Sequence, residues 1–148
     1  LHTNDGPQTL TRLQDMGIQA FAVATSINLI TAQRLLRRIN PNNRVPMEMP
    51  DDALRDEGFP EDMIEKGISL FQPGEETEDN PGYKGRAGIY QVMPISDEMK
   101  RLIIEGANAV QLADQSAAEG IWDIRRSGLQ KAADGLTSLA EVNRVTVE

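Results

Sequence analysis

Apolar residues recur at helical spacing from the beginning of the chain. Leu10, Leu13 and Met16 follow Asn4-Asp5-Gly6-Pro7, which supplies a turn, an N-cap and a proline suited to a first helical turn. Gly17 is placed to close that helix. Ile18, Ala20, Phe21, Val23, Ala24 and Ile27 then fit a second short helix within residues 18–28. Residues 29–39, Leu-Ile-Thr-Ala-Gln-Arg-Leu-Leu-Arg-Arg-Ile, fit either a helix or a buried strand by periodicity. As a strand, the segment would put Arg34 and Arg38 on one face and Arg37 on the other. Asn40-Pro41-Asn42-Asn43 stops it in either case.

Pro50-Asp51-Asp52 opens a helix backed by Ala53, Leu54 and Phe59, and Gly58 and Pro60 break it. A second short helix is expected over 60–66, a strand around Ile68, Leu70 and Phe71, and a loop over 73–82. Gly85–Met93 reads as a strand ended by Pro94. Ser96-Asp97-Glu98 caps a helix carrying Met99, Leu102, Ile103 and Ile104. Further helices are expected over 108–118 and 121–133, with Gly135 closing the latter. Ser138-Leu139-Ala140-Glu141 reads as a capping box that opens a last helix with Leu139, Val142 and Val145. The pattern is that of an α+β protein whose C-terminal third is a cluster of short helices, with no internal repeat.

Composition narrows the chemistry. The chain has 148 residues, no Cys and one His, so disulfides, thiolate zinc sites and His-rich metal cages are excluded. Aromatic residues are 4%, so the core must come from Leu, Ile, Val, Ala and Met. No apolar run approaches the ~20 residues that span a bilayer, and no basic-then-apolar leader is present, so a soluble cytoplasmic protein is expected. The net charge of -8 is uneven, because residues 48–79 carry twelve acids against Arg55 and Lys66. That acidic middle repels phosphates and argues against nucleic acid as a partner. The abrupt beginning, Leu1-His2-Thr3 without Met, suggests a piece of something longer.

No phosphate-binding loop and no dinucleotide-binding glycine turn is present. Gly82-Tyr83-Lys84-Gly85-Arg86 gathers glycines and two cations but lacks the hydroxyl residue and the following helix, so a tight turn is expected. Glu75, Glu76, Glu78 and Asp79 lack the ligand spacing of a calcium loop and read as solvated charge. Arg34, Arg37, Arg38 and Arg44 read as surface ion-pair partners that an anion could also meet. His2 is the only imidazole, and no motif places a nucleophile or carboxylate for it to work with.

Three segments, in order, resemble the type II secretion/type IV pilus ATPase family, and its pilus-assembly branch in particular. They are Leu1-His2-Thr3-Asn4-Asp5-Gly6-Pro7-Gln8-Thr9-Leu10-Thr11-Arg12-Leu13 with its continuation to Leu35, Gly82-Tyr83-Lys84-Gly85-Arg86-Ala87-Gly88-Ile89-Tyr90-Gln91-Val92-Met93-Pro94-Ile95-Ser96, and Leu129–Val145 with its Asp134-Gly135-Leu136-Thr137-Ser138-Leu139-Ala140-Glu141 centre. The resemblance implies the C-terminal portion of such a motor. It implies that residues 1–39 are a remnant of a RecA-like ATPase core, with 29–39 a strand and apolar surface exposed near residues 1–28. Residues 40–95 would then be an acidic insertion and β-hairpin, and 96–148 a C-terminal helical subdomain.

It also implies roles. His2 matches the second histidine of the family's His box, near the nucleotide γ-phosphate, in a catalytic site that is otherwise incomplete here. The phosphate-binding loop, the Mg-binding acid and the catalytic Glu precede this region in the family, so ATP and Mg belong to the parent and the isolated chain is expected to be inactive. Many members bind zinc through two Cys-x-x-Cys pairs. Asn40 and Asn43 stand at the first pair and Glu75 and Glu78 at the second, a set poorly suited to tetrahedral zinc. Zinc is therefore expected to be absent and loops 40–46 and 73–81 less ordered. The implied partners are neighbouring subunits of a homohexamer and the inner-membrane platform protein, with a cytoplasmic location peripheral to that membrane and no direct insertion. The alternatives are a regulatory or interaction domain of a degenerate homologue and an unrelated helical domain.

Overall fold

The computed structural model describes residues 5–147. Among them the order is α1 (Gly6–Asp15), α2 (Ala20–Ser26), β1 (Leu29–Ile39), a 3-10 turn (Pro41–Asn43), β2 (Arg44–Met47), α3 (Asp51–Glu57), α4 (Glu61–Lys66), β3 (Leu70–Pro73), β4 (Tyr83–Pro94), α5 (Asp97–Ile104), α6 (Ala109–Ala118), α7 (Ile124–Ala133) and α8 (Leu139–Thr146). The fold is α+β, with β1 paired to β4 and β2 paired antiparallel to β3 in two small sheets. In the second sheet Arg44 faces Pro73 and Met47 faces Leu70.

The chain forms two compact units that interleave along the sequence, Leu1–Gln33 with Tyr90–Ile124, and Arg34–Ile89 with Arg125–Glu148. The first contains α1, α2, α5 and α6 and the adjoining parts of β1 and β4. Its core is Leu10, Val23, Ala24, Ile30, Met93, Ile95, Met99, Ile103 and Leu112. Met99 and Ile103 are one helical turn apart, and so are Val23 and Ile27, so each helix lays a single stripe inward. Burial of each large side chain contributes about 1.5–3 kcal/mol, against about 1 kcal/mol for a helix cap. Packing therefore holds this unit together, and caps set where its helices begin.

Those caps are specific. Asp5 Oδ1 accepts the Gln8 N–H at 2.8 Å, with Pro7 in the first turn of α1. The buried Gln91 side chain on β4 accepts the Gly6 N–H at 2.8 Å, which ties the start of α1 to the sheet. Ser96 caps α5, and Asn108 with Gln111 forms a reciprocal capping box on α6 that the sequence reading did not anticipate. Met16, Ile18, Phe21 and Leu29 are exposed apolar residues of this unit.

The second unit contains β2, β3, α3, α4, α8, all of α7 after Ile124 and the remaining parts of β1 and β4, and is built around Leu36, Ile39, Leu54, Phe59, Ile64, Leu70, Ile89, Leu129, Ala132, Leu139 and Val142. Gly58 ends α3 at φ 106°, a left-handed conformation that a side chain would strain. Three expectations are corrected here. Residues 40–46 form the 3-10 turn and most of β2, because Arg44–Met47 finds a partner in β3 that local sequence does not announce. Lys84, Gly85 and Arg86 lie in β4 and not in a tight turn, with Gly85 at φ 84° inside the strand as in a bulge. Ser138 caps α8, but Glu141 does not return the bond and turns to two arginines.

Candidate functional site

The main polar constellation of the second unit is built on Glu141, a carboxylate only 1% exposed. Ser138 Oγ accepts the Glu141 N–H at 3.1 Å and starts α8, which turns the Glu141 side chain toward β1. There Oε1 accepts the Arg37 backbone N–H at 2.9 Å and Nε at 3.2 Å, while Oε2 accepts Arg37 Nη2 at 3.0 Å. Arg144, one turn along α8, donates to both carboxylate oxygens, at 2.5 and 3.0 Å. Burial alone would push the Glu141 carboxyl up, but the hydrogen bonds from Arg144 and Arg37 outweigh it and hold it at about 2.

The surroundings fix this geometry. Thr137 Oγ1 donates to the Arg37 carbonyl at 2.7 Å, and the Tyr83 and Ser138 hydroxyls lie 2.6 Å apart. The Arg37 guanidinium sits 4.2 Å from the Tyr83 ring centroid. The cluster clamps β1, β4 and α8 to one another. A second clamp is made by Arg125, which donates to the Glu57 carbonyl and carboxylate at the end of α3 and to Asn143 and Thr146 of α8.

The residues singled out from sequence fall as follows. His2 lies outside the described residues. Asn40 and Asn43 are buried, and both act as amide donors: Asn40 Nδ2 to the Pro81 carbonyl at 2.8 Å, and Asn43 Nδ2 to the carbonyls of Glu75 at 2.9 Å and Asn80 at 3.1 Å. The side chains of Glu75 and Glu78 are exposed, and Glu75 takes part through its main chain. The four positions thus do not present oxygen or nitrogen lone pairs to one centre, and zinc does not fit this set. Among the described residues no group of three or more Asp, Glu or His side chains is arranged to hold a metal ion. Of the arginines, Arg37 is in the Glu141 clamp, and Arg44 stacks 4.2 Å from the Phe71 ring centroid and donates to the Gly135 carbonyl. Sequence reasoning missed the role of Glu141; its only local signal was Arg144 three residues on.

The profile of the family described as "Type II/IV secretion system protein" matches residues 1–144, and the chain belongs to that family. It is 45% identical, over all of its length, to the type IV pilus assembly ATPase PilB of Acinetobacter baylyi, and 48% identical over 99% of its length to that of Pseudomonas aeruginosa. It is 37% identical over its whole length to the type II secretion system protein E of Dickeya dadantii. The chain spans about a quarter of these relatives, 26% of the two pilus proteins and 29% of the secretion protein. No helix among the described residues is long and apolar enough to cross a membrane.

Proposed function

We propose that the chain is the C-terminal part of a hexameric motor ATPase that powers type IV pilus assembly, and that it serves as a mechanical module. It supplies contacts to neighbouring subunits and passes ATP-driven motion to a membrane platform protein, from the cytoplasmic side and without inserting in the bilayer. Residues 1–39 descend from a RecA-like core, 40–95 replace a zinc subdomain, and 96–148 are the helical end. His2 completes a nucleotide site whose other parts lie elsewhere in the parent, so the chain alone does not hydrolyse ATP and holds no zinc. The observation that carries this reading is the 45–48% identity to two pilus assembly ATPases over essentially the whole chain. The clamps on Glu141 and Arg125 support it, since rigid-body transmission needs elements that do not slide against each other.

The test is a chimera in which these 148 residues replace the matching quarter of the Acinetobacter baylyi protein. Retained ATP hydrolysis together with surface pili is expected. A folded chimera that hydrolyses ATP but assembles no pili would remove the force-transmission role. Phosphate release by the purified chain that disappears in His2→Ala would overturn the claim that it is inactive alone.

A further inference from the structure

The excursion from β2 to β3 through α3 and α4 leaves a groove of about 380 Å³ where its two ends meet. Met47, Met49, Ile68, Leu70 and Phe71 line it, together with Glu48. All but Glu48 and the buried Leu70 are half-buried, so apolar side chains stand partly uncovered in a concave surface. Two of them are methionines, whose flexible thioethers adapt to different apolar anchors.

Charge says what would cover it. Glu48 is in the wall, Asp51 opens α3 two residues after Met49, and Glu65 is the next-to-last residue of α4, three before Ile68, while one cation, Arg44, stacks on the lining residue Phe71. Glu48, Asp56, Asp62 and Glu65 are exposed and make no ion pair among the described residues, whereas Asp52, Glu57 and Glu61 are already taken by Arg55 and Arg125, and Asp51 lies in the field of Arg55. The only other cation between residues 48 and 79 is Lys66. The backbone says what shape the occupant has. The sheet is short, and Pro46 in β2 and Pro73 in β3 withhold donors, so the addition of a further strand is disfavoured.

We propose that this groove docks a basic amphipathic helix of a protein partner. Apolar residues one turn apart on that helix enter between Met47, Met49 and Ile68, and its lysines or arginines face Glu48 and the acidic excursion that carries α3 and α4. The rim charges speed and select the encounter, and the apolar anchors hold the complex. An anionic membrane surface is repelled by the same rim. The inference stands on the groove and its charge alone and does not depend on the motor reading.

The test uses the full chain labelled at its methionine methyl groups and a synthetic helix of about 18 residues with leucines on one face and lysines on the other. The six methionines form a built-in map. Docking shifts the Met47 and Met49 signals and leaves Met16, Met93 and Met99 in place. A scrambled peptide of the same composition is expected to bind about tenfold more weakly or worse, and a version with glutamates for lysines not to bind. In the protein, Met49→Gln and Glu48→Lys, both at exposed or half-exposed positions, each weaken binding about tenfold, at matched thermal stability. Equal binding of the scrambled peptide, shifts centred on Met16, or binding of the chain to anionic vesicles would each overturn the proposal. So would a chain that occupies the groove with a second copy, seen as concentration-dependent Met47 and Met49 shifts without peptide.

Discussion

Glu141 Oε1 accepts hydrogen bonds from both the backbone N–H and the guanidinium of Arg37, a residue 104 positions earlier. One buried carboxylate thereby fixes a strand position and a side chain at once. Because both arginines are half in solvent, they can hydrate if the carboxylate is lost, which limits the damage. Glu141→Gln keeps the shape but weakens each charge-assisted bond, and it is expected to cost about 2 kcal/mol. For a chain of this size that lowers Tm by roughly 4–8 °C. Arg144→Ala should move Tm much less, since its partner retains Arg37. Thermal melts of the three proteins check this order.

The same carboxylate predicts acid sensitivity with a definite sign. Its folded value, about 2, lies below the unfolded value of 4.5. A depressed acid contributes stability that is full above the unfolded value and is lost as pH falls through the window down to the folded one. The contribution is on the order of 3 kcal/mol. Urea unfolding across that window should show a steep loss in the unaltered chain and a shallower one in Glu141→Gln. The two curves should converge at the acid end. Parallel curves would mean that other carboxylates dominate.

Asn43 should matter through its amide donors. It is 8% exposed, and its Nδ2 bridges the carbonyls of Glu75 and Asn80, while its own carbonyl accepts from Gly74. Asn43→Ala leaves two carbonyls without that donor and is expected to cost about 1–3 kcal/mol. Asn43→Asp is expected to be worse near neutral pH, because a carboxylate replaces the donor and faces carbonyl oxygens. Amide hydrogen exchange should localise the loss of protection to residues 74–82 in both variants.

The legibility of this chain divides by distance along it. Helix ends were readable because caps are local: Asp5, Ser96 and Ser138 each act on the N–H three residues on. Residues 29–39 could not be decided by periodicity, because half of β1 is exposed and its buried positions, Ile30, Ala32, Leu36 and Ile39, break strict alternation. The strand β2 was hidden because four residues including a proline carry almost no signal, and pairing with β3 makes it. The sites followed the same rule. Glu141 was correctly tied to a helix start, but its partner on β1 is a tertiary fact, and nothing near it in the chain chooses Arg37 over Arg34 or Arg38. Asn40 and Asn43 were noted for ligands they lack. Their role as donors to the loop at 75–82 became visible only once that loop was in place.

Gly128 offers a test of how tightly the second unit is packed. It lies inside α7, where glycine costs about 1 kcal/mol relative to alanine, so on propensity alone Gly128→Ala should stabilise. The packing opposes this. A Cβ built there would lie 3.0 Å from Val142 Cγ1 and 3.4 Å from Ile89 Cδ1, and Val142 is fully buried. Valine has few rotamers with which to retreat, and overpacking of this kind costs about 1–3 kcal/mol. The clash should win, leaving Gly128→Ala less stable by about 1 kcal/mol. Val142→Ala alone opens a cavity and also destabilises. The double variant returns the volume of one methyl to the space that Val142 vacates and restores the helix propensity. It should therefore be more stable than the sum of the single changes indicates, and a double-mutant cycle in urea measures that coupling. Strict additivity would mean that α7 and α8 are free to separate, and it would count against the close helix contact that the Arg125 clamp bridges.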